Sequence, residues 1–439
     1  MSAGALLGPL ALVIALSLVS AGCAETQEAP SRPRSSDAPE HSNREAITGV
    51  AAHLRALQEI ANRHDGTRAA GTPGDRASAD YIAERLSRAG YDVTRQRIRF
   101  PYYRILQAPK IQRTSGALPG GRRSIRPLQF TRGGSVEGPV RRAGRGCTDA
   151  ETAGLRRGDV ALVRRGECTF LEKGRRAQTA GAAALLVAGH PGDPLIDATL
   201  GRPGPAIPVL FLAHDTAKVL TTGERLRISL RTRSEMRASE NVLADAPAAT
   251  SRRIAMLGAH LDSAPAGAGL NDNGSGVAAA LDIAERLAAE DNPPRVRFGF
   301  WAAEELGLIG SRRYVERLGR SERRAVTSYL NLDMVGSPHP RPTVYASDSK
   351  PAAARLERLL LRHLRKEGIS ARVGSASKGS DHLPFARAGI PVAGLFTGAG
   401  RPADPCYHRR CDTLSNVNVG MTRAMADTAR RALVGIARD

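Results

Sequence analysis

Three short apolar runs in the second half of the chain each stop at acidic or imidazole side chains. The runs begin at residues 254, 296 and 329. The polar side chains that follow them are, in order, His260 and Asp262, Asp272 in a Gly-rich loop, Glu304 and Glu305, and Asp333. Buried strands that deliver polar side chains to one edge of a sheet have this pattern. With His408 from a Cys-flanked loop near the C-terminus, the runs predict one pocket suited to metal ions.

The predicted pocket holds enough ligands for two ions. A metal pair needs one carboxylate that bridges both ions, and each ion needs further oxygen or nitrogen ligands. Asp272 is the predicted bridge. His260 and Asp333 complete the ligands of one ion, and Glu305 and His408 complete those of the other. Carboxylate and imidazole ligands without thiolates favour Zn2+, two per chain, with Co2+ or Mn2+ as substitutes.

Three residues beside the ligands have predicted catalytic roles. Glu304 is adjacent to a ligand but is not needed as one, so it is free to act as the general base toward a metal-activated bridging water. Asp262 lies two residues after His260 on the same side of the strand, where its carboxylate can orient the imidazole. Tyr407 lies next to His408, where a phenol could stabilise the oxyanion of a tetrahedral intermediate.

The pattern of elements predicts an α/β fold with two domains. Strands and helices alternate from Glu240 onward, which indicates a mixed sheet with helices on both faces. Helices are expected at 50–63 and 77–88, and a strand at 91–100, before Pro, Gly and Arg interrupt the pattern. Residues 111–235 have a different sequence pattern, rich in predicted strands, and lack a cluster of His and acidic residues. We predict that they form a domain inserted between 44–110 and 236–439.

The N-terminus predicts export. Residues 6–19 form a mostly apolar run of the length of a signal-peptide core, too short for a membrane span. The run leads into Ser-Ala-Gly-Cys, which resembles a bacterial lipobox, so 1–23 is predicted to be a signal peptide and Cys23 a lipidated residue. Residues 24–43 then form a flexible tether. The expected location is the cell envelope, anchored on the outer side of the membrane, with ordinary secretion as the alternative.

The charge of the chain excludes one class of partner. The net charge is +21 over 439 residues and comes almost wholly from Arg scattered along every segment. A nucleic-acid binder usually concentrates its basic residues on one element. We therefore predict no nucleic-acid partner, and no nucleotide motif is present. The charge is interpreted as a well-solvated surface, with attraction to anionic envelope polymers or lipid as the alternative.

The five cysteines fit an oxidising compartment. Besides Cys23, they divide into two local pairs, Cys147 with Cys168 and Cys406 with Cys411. Disulfides are predicted for both pairs, and free buried thiols are the alternative.

The order of the motifs carries a family resemblance. The motifs are H-L-D-S, G-L-N-D-N-G-S-G, W-A-A-E-E-L-G-L-I-G-S, L-N-L-D-M-V-G-S-P, S-D-H-L-P-F and D-P-C-Y-H-R-R-C-D. Together they resemble the secreted di-zinc aminopeptidases of metallopeptidase family 28, in the MH clan. The middle segment, with G-D-V-A-L-V-R-R-G-E-C, resembles the protease-associated (PA) domain. The resemblance covers essentially the whole mature chain, including G-T-R-A-A-G-T-P-G near its start.

The resemblance implies a zinc-exopeptidase fold of the phosphorylase/hydrolase-like type. It implies the same ligands, base, His-orienting residue and oxyanion partner as above, with the substrate amine bound near Glu304 and Asp333. The implied activity is removal of an N-terminal amino acid, commonly a large apolar one, from peptides or proteins. The PA domain is expected to act as a lid or substrate-access element.

Three other functions stay open. A carboxypeptidase of the same fold would need a cationic pocket for the substrate carboxylate, which an Arg-rich chain could provide. A glutaminyl cyclase of this fold usually keeps one zinc ion, and a non-enzymatic peptide-binding lipoprotein would be expected to have lost ligands. His382, in the S-D-H motif, is a possible substitute ligand, although a role in shaping the pocket is favoured.

Overall fold

A computed structural model describes residues 49–113, 116, 118–246, 253–291, 294–347, 351–376 and 379–438, apart from the side chain of Arg122. The predicted signal peptide, Cys23 and the tether lie outside the described residues. Across those described ranges, no helix has both the length and the apolar character needed to cross a membrane.

The described residues alternate between helices and strands along the chain. The α-helices are α1 (Val50–Arg63), α2 (Pro73–Arg88), α3 (Asp149–Thr152), α4 (Phe170–Thr179), α5 (His214–Lys218), α6 (Gly276–Ala288), α7 (Ile309–Arg317), α8 (Arg320–Ala325), α9 (Pro351–Lys366), α10 (His382–Arg387) and α11 (Val419–Ala437). The strands are β1 (Asp92–Arg113), β2 (Ile125–Pro127), β3 (Gly134–Arg142), β4 (Val160–Arg164), β5 (Ala184–Ala188), β6 (Val209–Leu212), β7 (Arg225–Asp245), β8 (Ile254–His260), β9 (Val296–Trp301), β10 (Val326–Leu332), β11 (Thr343–Ala346), β12 (Arg372–Ser375) and β13 (Val392–Phe396). A kinked turn, Leu270–Ser275, whose backbone is non-helical at Asp272 and Asn273, leads directly into α6.

The sheet that carries the site is mixed. Its order is β12-β11-β13-β10-β8-β9-β7, with β1 paired to β7. The central strands β8, β9, β10 and β13 are parallel, whereas β7 runs antiparallel to β9 and β11 antiparallel to β13. Because parallel strands share one direction, the residues that follow β8, β9 and β10 emerge at the same edge.

Helices cover both faces of this sheet, and the central strands are therefore buried on both sides. All seven residues of β8 are buried, as expected for a strand between two helical layers. Its odd-numbered side chains, such as Leu257, pack in the large core that includes residues of α1, α2, α6, α9 and α11. Met256 points to the other face, where it joins a cluster with residues of α7 and α10. The predicted mixed α/β fold is confirmed.

A long two-stranded ribbon connects this sheet to the middle part of the chain. Strands β1 and β7 pair from Asp92 with Asp245 to Arg113 with Leu226. The C-terminal end of β7 pairs with β9, and its N-terminal end pairs with β3. From β3 the sheet continues through β4, β5 and β6 to β2, with its own apolar clusters.

The ribbon differs from the sequence prediction in one respect. The strand predicted to end at Phe100 continues to Arg113, because pairing with β7 satisfies its backbone across the Pro101 region. The domain limits drawn at 110/111 and 235/236 fall within this ribbon and remain a prediction.

Local signals explain the helix boundaries. Helix α1 has the predicted bounds. Helix α2 begins at Pro73 rather than at residue 77, because the Thr72 side chain accepts a hydrogen bond from Asp75 and Pro occupies the first turn. In the middle segment, α4 begins with a capping box formed by Thr169 and Glu172.

Candidate metal centre

The ends of three parallel strands supply most of the site. His260 is the last residue of β8, and Asp333 directly follows β10. Glu304 and Glu305 lie just beyond β9. These side chains meet at the edge of the sheet, as the three apolar runs predict.

Two groups of candidate ligands share Asp272. In the first group, Nε2 of His260 lies 3.3 Å from Oδ1 of Asp272 and 3.4 Å from Oδ1 of Asp333. In the second, Nε2 of His408 lies 3.2 Å from Oδ2 of Asp272 and 3.1 Å from Oε2 of Glu305. The ligand atoms of each group lie within 4.8 Å of one another. One carboxylate oxygen of Asp272 therefore serves each group.

The turn that carries Asp272 is bound to the end of β10 by side-chain hydrogen bonds. Oδ1 of Asn273 accepts from the N–H of Met334, and its Nδ2 donates to the carbonyl of Leu332. The hydroxyl of Ser275 accepts from the N–H of Val335. These bonds fix Asp272 beside Asp333.

The sequence Asn273-Gly-Ser matches the pattern of an N-glycosylation site. The Asn273 side chain is buried and hydrogen-bonded in this turn.

One candidate ligand and two non-glycine residues adjacent to candidate ligands have a left-handed backbone. They are Ala303 (φ 55°), Met334 (φ 51°) and His408 (φ 56°). Such conformations cost on the order of 1 kcal/mol or more each and persist where the surrounding structure enforces them. Their position beside the ligands indicates a site that is held in place by its neighbours.

His408 comes from a short loop closed by a disulfide. Cys406 is bonded to Cys411, and Cys147 is bonded to Cys168 in the middle segment. The ring of Tyr407 stacks on the ring of His408, with centroids 3.8 Å apart. The His408 side chain is 43% exposed, so solvent reaches this side of the site.

Asp262 contacts both the base candidate and the first imidazole. Its Oδ1 accepts a hydrogen bond from the N–H of Glu304 at 3.0 Å. The same oxygen lies 3.7 Å from Nδ1 of His260, at ion-pair range, while the backbone carbonyl of Asp262 is nearer, at 3.1 Å. The nearest contact of the imidazole with Asp262 is therefore the backbone carbonyl, which the sequence does not indicate.

The electrostatics of the pocket favour cations. Burial raises the pKa of Glu304 to about 10. Burial opposes protonation of His260, but the charge of Glu304 helps to raise its pKa well above the ordinary value. Hydrogen bonds to Asp272 and Glu305 raise the pKa of His408 to about 10. Acidic side chains outnumber the two histidines here, and a bound cation would favour the ionised form of these acids, including Glu304.

The side chains fit divalent metal ions. Oε1 of Glu305 and Oδ1 of Asp333 are buried and accept no hydrogen bond from any described residue. Buried carboxylate oxygens normally have a partner, and a metal ion would supply one. The donors are imidazole nitrogens and carboxylate oxygens without a thiolate, a set that suits zinc.

The structure adds residues that sequence reasoning does not assign to the site. Asp381 is fully buried, and burial raises its pKa to about 7; the charge of His260 opposes this rise and that of Asp333 adds to it. Its neighbour His382 belongs to neither group of ligands and instead contacts the Ala376 carbonyl and the Tyr345 ring. In the S-D-H motif the sequence suggests His382 as the site residue, whereas in the structure it is Asp381 that interacts with the charges of His260 and Asp333.

A buried arginine supports the loop after β8. Arg68 is fully buried and donates to the carbonyls of Leu261, Ala268 and Gly269 at 2.6–2.9 Å. These carbonyls belong to the segment between His260 and the Asp272 turn. Arg68 lies in the motif G-T-R-A-A-G-T-P-G, and this motif is the signal by which the sequence could have indicated the role.

Comparisons with known proteins identify the family of the chain. Residues 241–433 match peptidase family M28, and residues 136–220 match the PA domain. The chain is 37% identical over 424 residues to the probable lipoprotein aminopeptidase LpqL of Mycobacterium tuberculosis, covering 86% of this chain and 82% of that protein.

Two solved structures have the same fold over most of their length. The aminopeptidase from Aneurinibacillus sp. strain AM-1 has a TM-score of 0.60 at 25% identity, covering 88% of this chain and 93% of its own. BSAP, a zinc aminopeptidase from Bacillus subtilis, has a TM-score of 0.59 at 25% identity, covering 90% of this chain and 96% of its own.

Fold and site together define a metal-dependent hydrolase. The chain belongs to peptidase family M28, as a metallo-aminopeptidase that also contains a PA domain. The family and fold indicated by the sequence motifs are confirmed.

Proposed function

We propose that this protein is an exported zinc aminopeptidase that binds two zinc ions and removes the N-terminal residue of peptides. The observation that carries the proposal is the sharing of Asp272 between two groups of ligands. His260 and Asp333 would hold one ion with Asp272. Glu305 and His408 would hold the other.

When bound, zinc supplies Lewis acidity that polarises the scissile carbonyl and lowers the pKa of water at the site. The protein contributes a preorganised pocket, because the ligands come from strand ends and from a turn bound to β10. The carboxylates of the ligands are mostly buried, which strengthens the electrostatic interactions within the pocket.

Glu304 is proposed as the general base. Its backbone is fixed by the hydrogen bond to Asp262, and its carboxylate belongs to neither group of ligands. It would take the proton of the attacking water and deliver it to the leaving amine. Tyr407 is proposed to donate a hydrogen bond to the oxyanion, because it stacks on His408 at the open side of the site.

The substrate amine is proposed to lie beside Glu304 and Asp333. Carboxylate oxygens there could accept hydrogen bonds from the free amine. The aminopeptidase relatives support this choice over a carboxypeptidase of the same fold. By the family resemblance, the preferred N-terminal residue is large and apolar.

We also propose that the protein is lipidated at Cys23 and held at the outer side of the membrane. The support is the lipobox-like sequence and the relative described as a probable lipoprotein aminopeptidase. The middle domain, placed at 111–235 within the peptidase segments 44–110 and 236–439, is proposed as an element that controls substrate access.

A substrate panel tests the activity. Leucyl chromogenic amides with a free or an N-acetylated amine, and dipeptides blocked at the amine, are incubated with the chain, with a chelator and after zinc is restored. Hydrolysis that requires the free amine, stops with the chelator and returns with zinc is expected. A metal analysis by mass spectrometry gives the number of zinc ions per chain.

Other outcomes lead elsewhere. Hydrolysis of amine-blocked dipeptides alone would favour the carboxypeptidase. If the chain hydrolyses none of the substrates and contains no bound zinc, the result would favour a peptide-binding lipoprotein. One zinc ion per chain would contradict the two-ion proposal even if the aminopeptidase activity is found.

A further inference from the structure

Two buried acids flank the disulfide loop that carries His408. Asp404 precedes Cys406, and Asp412 follows Cys411. Asp404 is 0% exposed and Asp412 is 2% exposed. Neither belongs to a group of candidate ligands, so their burial calls for another partner.

Asp412 binds the backbone of the turn that carries the bridging residue. Its Oδ1 accepts from the N–H of Asn271 at 2.8 Å, and its Oδ2 accepts from the N–H of Asp272 at 3.0 Å. The backbone carbonyl of Asp412 accepts from the N–H of Leu270 at 3.3 Å. Three consecutive N–H groups of the turn therefore point to one residue of the His408 loop.

Asp404 completes the same network from the other end of the loop. It accepts from the N–H of Cys406 at 2.8 Å and from Nδ2 of Asn271 at 2.7 Å. Nδ2 of Asn416 donates to both acids, at 3.0 Å to Asp404 and 3.2 Å to Asp412. Both ends of the loop are thereby fastened to each other and to the turn.

The disulfide cannot perform this task. Cys406 and Cys411 close the loop on itself, but their bond does not reach the turn that holds Asp272. The His408 side chain is 43% exposed, so burial fixes its position less than it fixes that of His260, which is 1% exposed. Its distance from Asp272 therefore depends on where the loop backbone is attached.

We propose that Asp412 is a positioning residue that sets His408 against Asp272 and so controls binding of the ion in the Asp272, Glu305 and His408 group. The inference rests on the proposed two-ion function. Asp412 acts through backbone N–H groups and does not touch the ion. The group with His260 and Asp333 depends on it less, because strands β8 and β10 hold those two ligands.

The test is a zinc titration of the metal-free full chain by competition with a chromophoric chelator. Asp412→Asn keeps the shape of the side chain. Its amide oxygen can accept a hydrogen bond from only one of the two backbone N–H groups, and its NH2 group then faces the other N–H without an acceptor. The weaker of the two zinc dissociation constants is expected to rise about 10- to 100-fold, as for other residues that orient ligands. The tighter constant should stay within about threefold, since the other group is held by strands.

Three further variants separate positioning from folding. Asp427→Asn, on α11 outside this network, is the matched control and should bind both ions like the parent. The double variant Cys406→Ser with Cys411→Ser should lose less affinity for the second ion than Asp412→Asn. Asn416→Ala removes the hydrogen bonds that join the two acids but leaves Asp412 in place. If Asp412→Asn does not fold, Asn416→Ala provides the same test, with a smaller expected loss of zinc affinity.

The outcomes distinguish the two proposals. A parent that binds two zinc ions, with Asp412→Asn and Asn416→Ala binding both unchanged, overturns the positioning role and leaves the proposed function intact. Equal weakening of both ions also overturns it, because that is the result of general loosening. A parent that binds a single ion contradicts the two-ion function and this inference with it.

Discussion

Oδ1 of Asp262 accepts a hydrogen bond from the backbone N–H of Glu304 at 3.0 Å. This bond joins the segment after β8 to the segment after β9, next to the left-handed backbone at Ala303. The base candidate is thus fixed by the residue that also lies beside the imidazole of His260. One carboxylate couples the placement of a ligand to the placement of the base.

Replacement of Glu304 by Gln should abolish most of the turnover. Loss of a general base typically costs about 10²- to 10⁴-fold in kcat. Zinc content should stay at the parent level, because Glu304 belongs to neither group of ligands. Steady-state kinetics and metal analysis of Glu304→Gln, with the exposed Glu316→Gln on α7 as control, check this. Unchanged turnover would exclude Glu304 as the base.

Asp262 variants should separate two contacts of one carboxylate. Asp262→Asn can still accept the hydrogen bond from Glu304 but loses its charge beside His260. Asp262→Ala loses both. Zinc affinity of the first group is expected to fall about 10-fold or more in Asp262→Asn and further, toward about 100-fold, in Asp262→Ala. Equal zinc titrations for the parent and both variants would remove the orienting role.

Arg68 should contribute strongly to stability. Its pKa is lowered by burial to about 10, so the guanidinium is still charged at neutral pH when it binds three carbonyls. Arg68→Met leaves these carbonyls without donors and should destabilise the fold by about 3–5 kcal/mol. Arg68→Lys keeps the charge without the planar fork and should lose less. Urea unfolding measures this, with exposed Arg55→Met as control, and equal midpoints for all variants would contradict it.

Asp75 should make stability depend on pH in the acid range. Burial, with the nearby charge of Asp262, raises its pKa from 3.8 to about 7. The folded chain binds this proton more tightly than the unfolded chain, so the stabilisation is complete below about pH 4 and is lost as the pH rises toward 7. The loss should be at most about 4 kcal/mol.

Asp75→Asn should remove this contribution. The amide oxygen can keep the hydrogen bond from the N–H of Gly71 but does not titrate. The difference in unfolding free energy between parent and variant should therefore change between pH 4.5 and 7.5, with the variant gaining as pH rises. A constant difference across that range would show that Asp75 does not titrate there.

The strand ends and the helices could be predicted from local patterns. Short apolar runs that stop at His260, Glu304 and Asp333 indicate buried parallel strands with functional carboxyl ends. Cysteine spacing indicated the two disulfides that the structure forms. By contrast, the length of β1 could not be read locally, because Pro and Arg interrupt its pattern and only pairing with the distant β7 keeps it extended.

The sequence by itself determined the fold class, the family and the set of candidate ligands, because residue types and their order along the chain encode strand ends and metal preference. Tertiary structure decided how those ligands are held. Arg68 binds carbonyls some 200 positions away, and Asp412 binds N–H groups about 140 positions away. Backbone N–H and carbonyl groups are nearly the same at every residue, so the amino-acid sequence does not indicate which of them a buried charged side chain will bind. Only the folded chain brings those partners together.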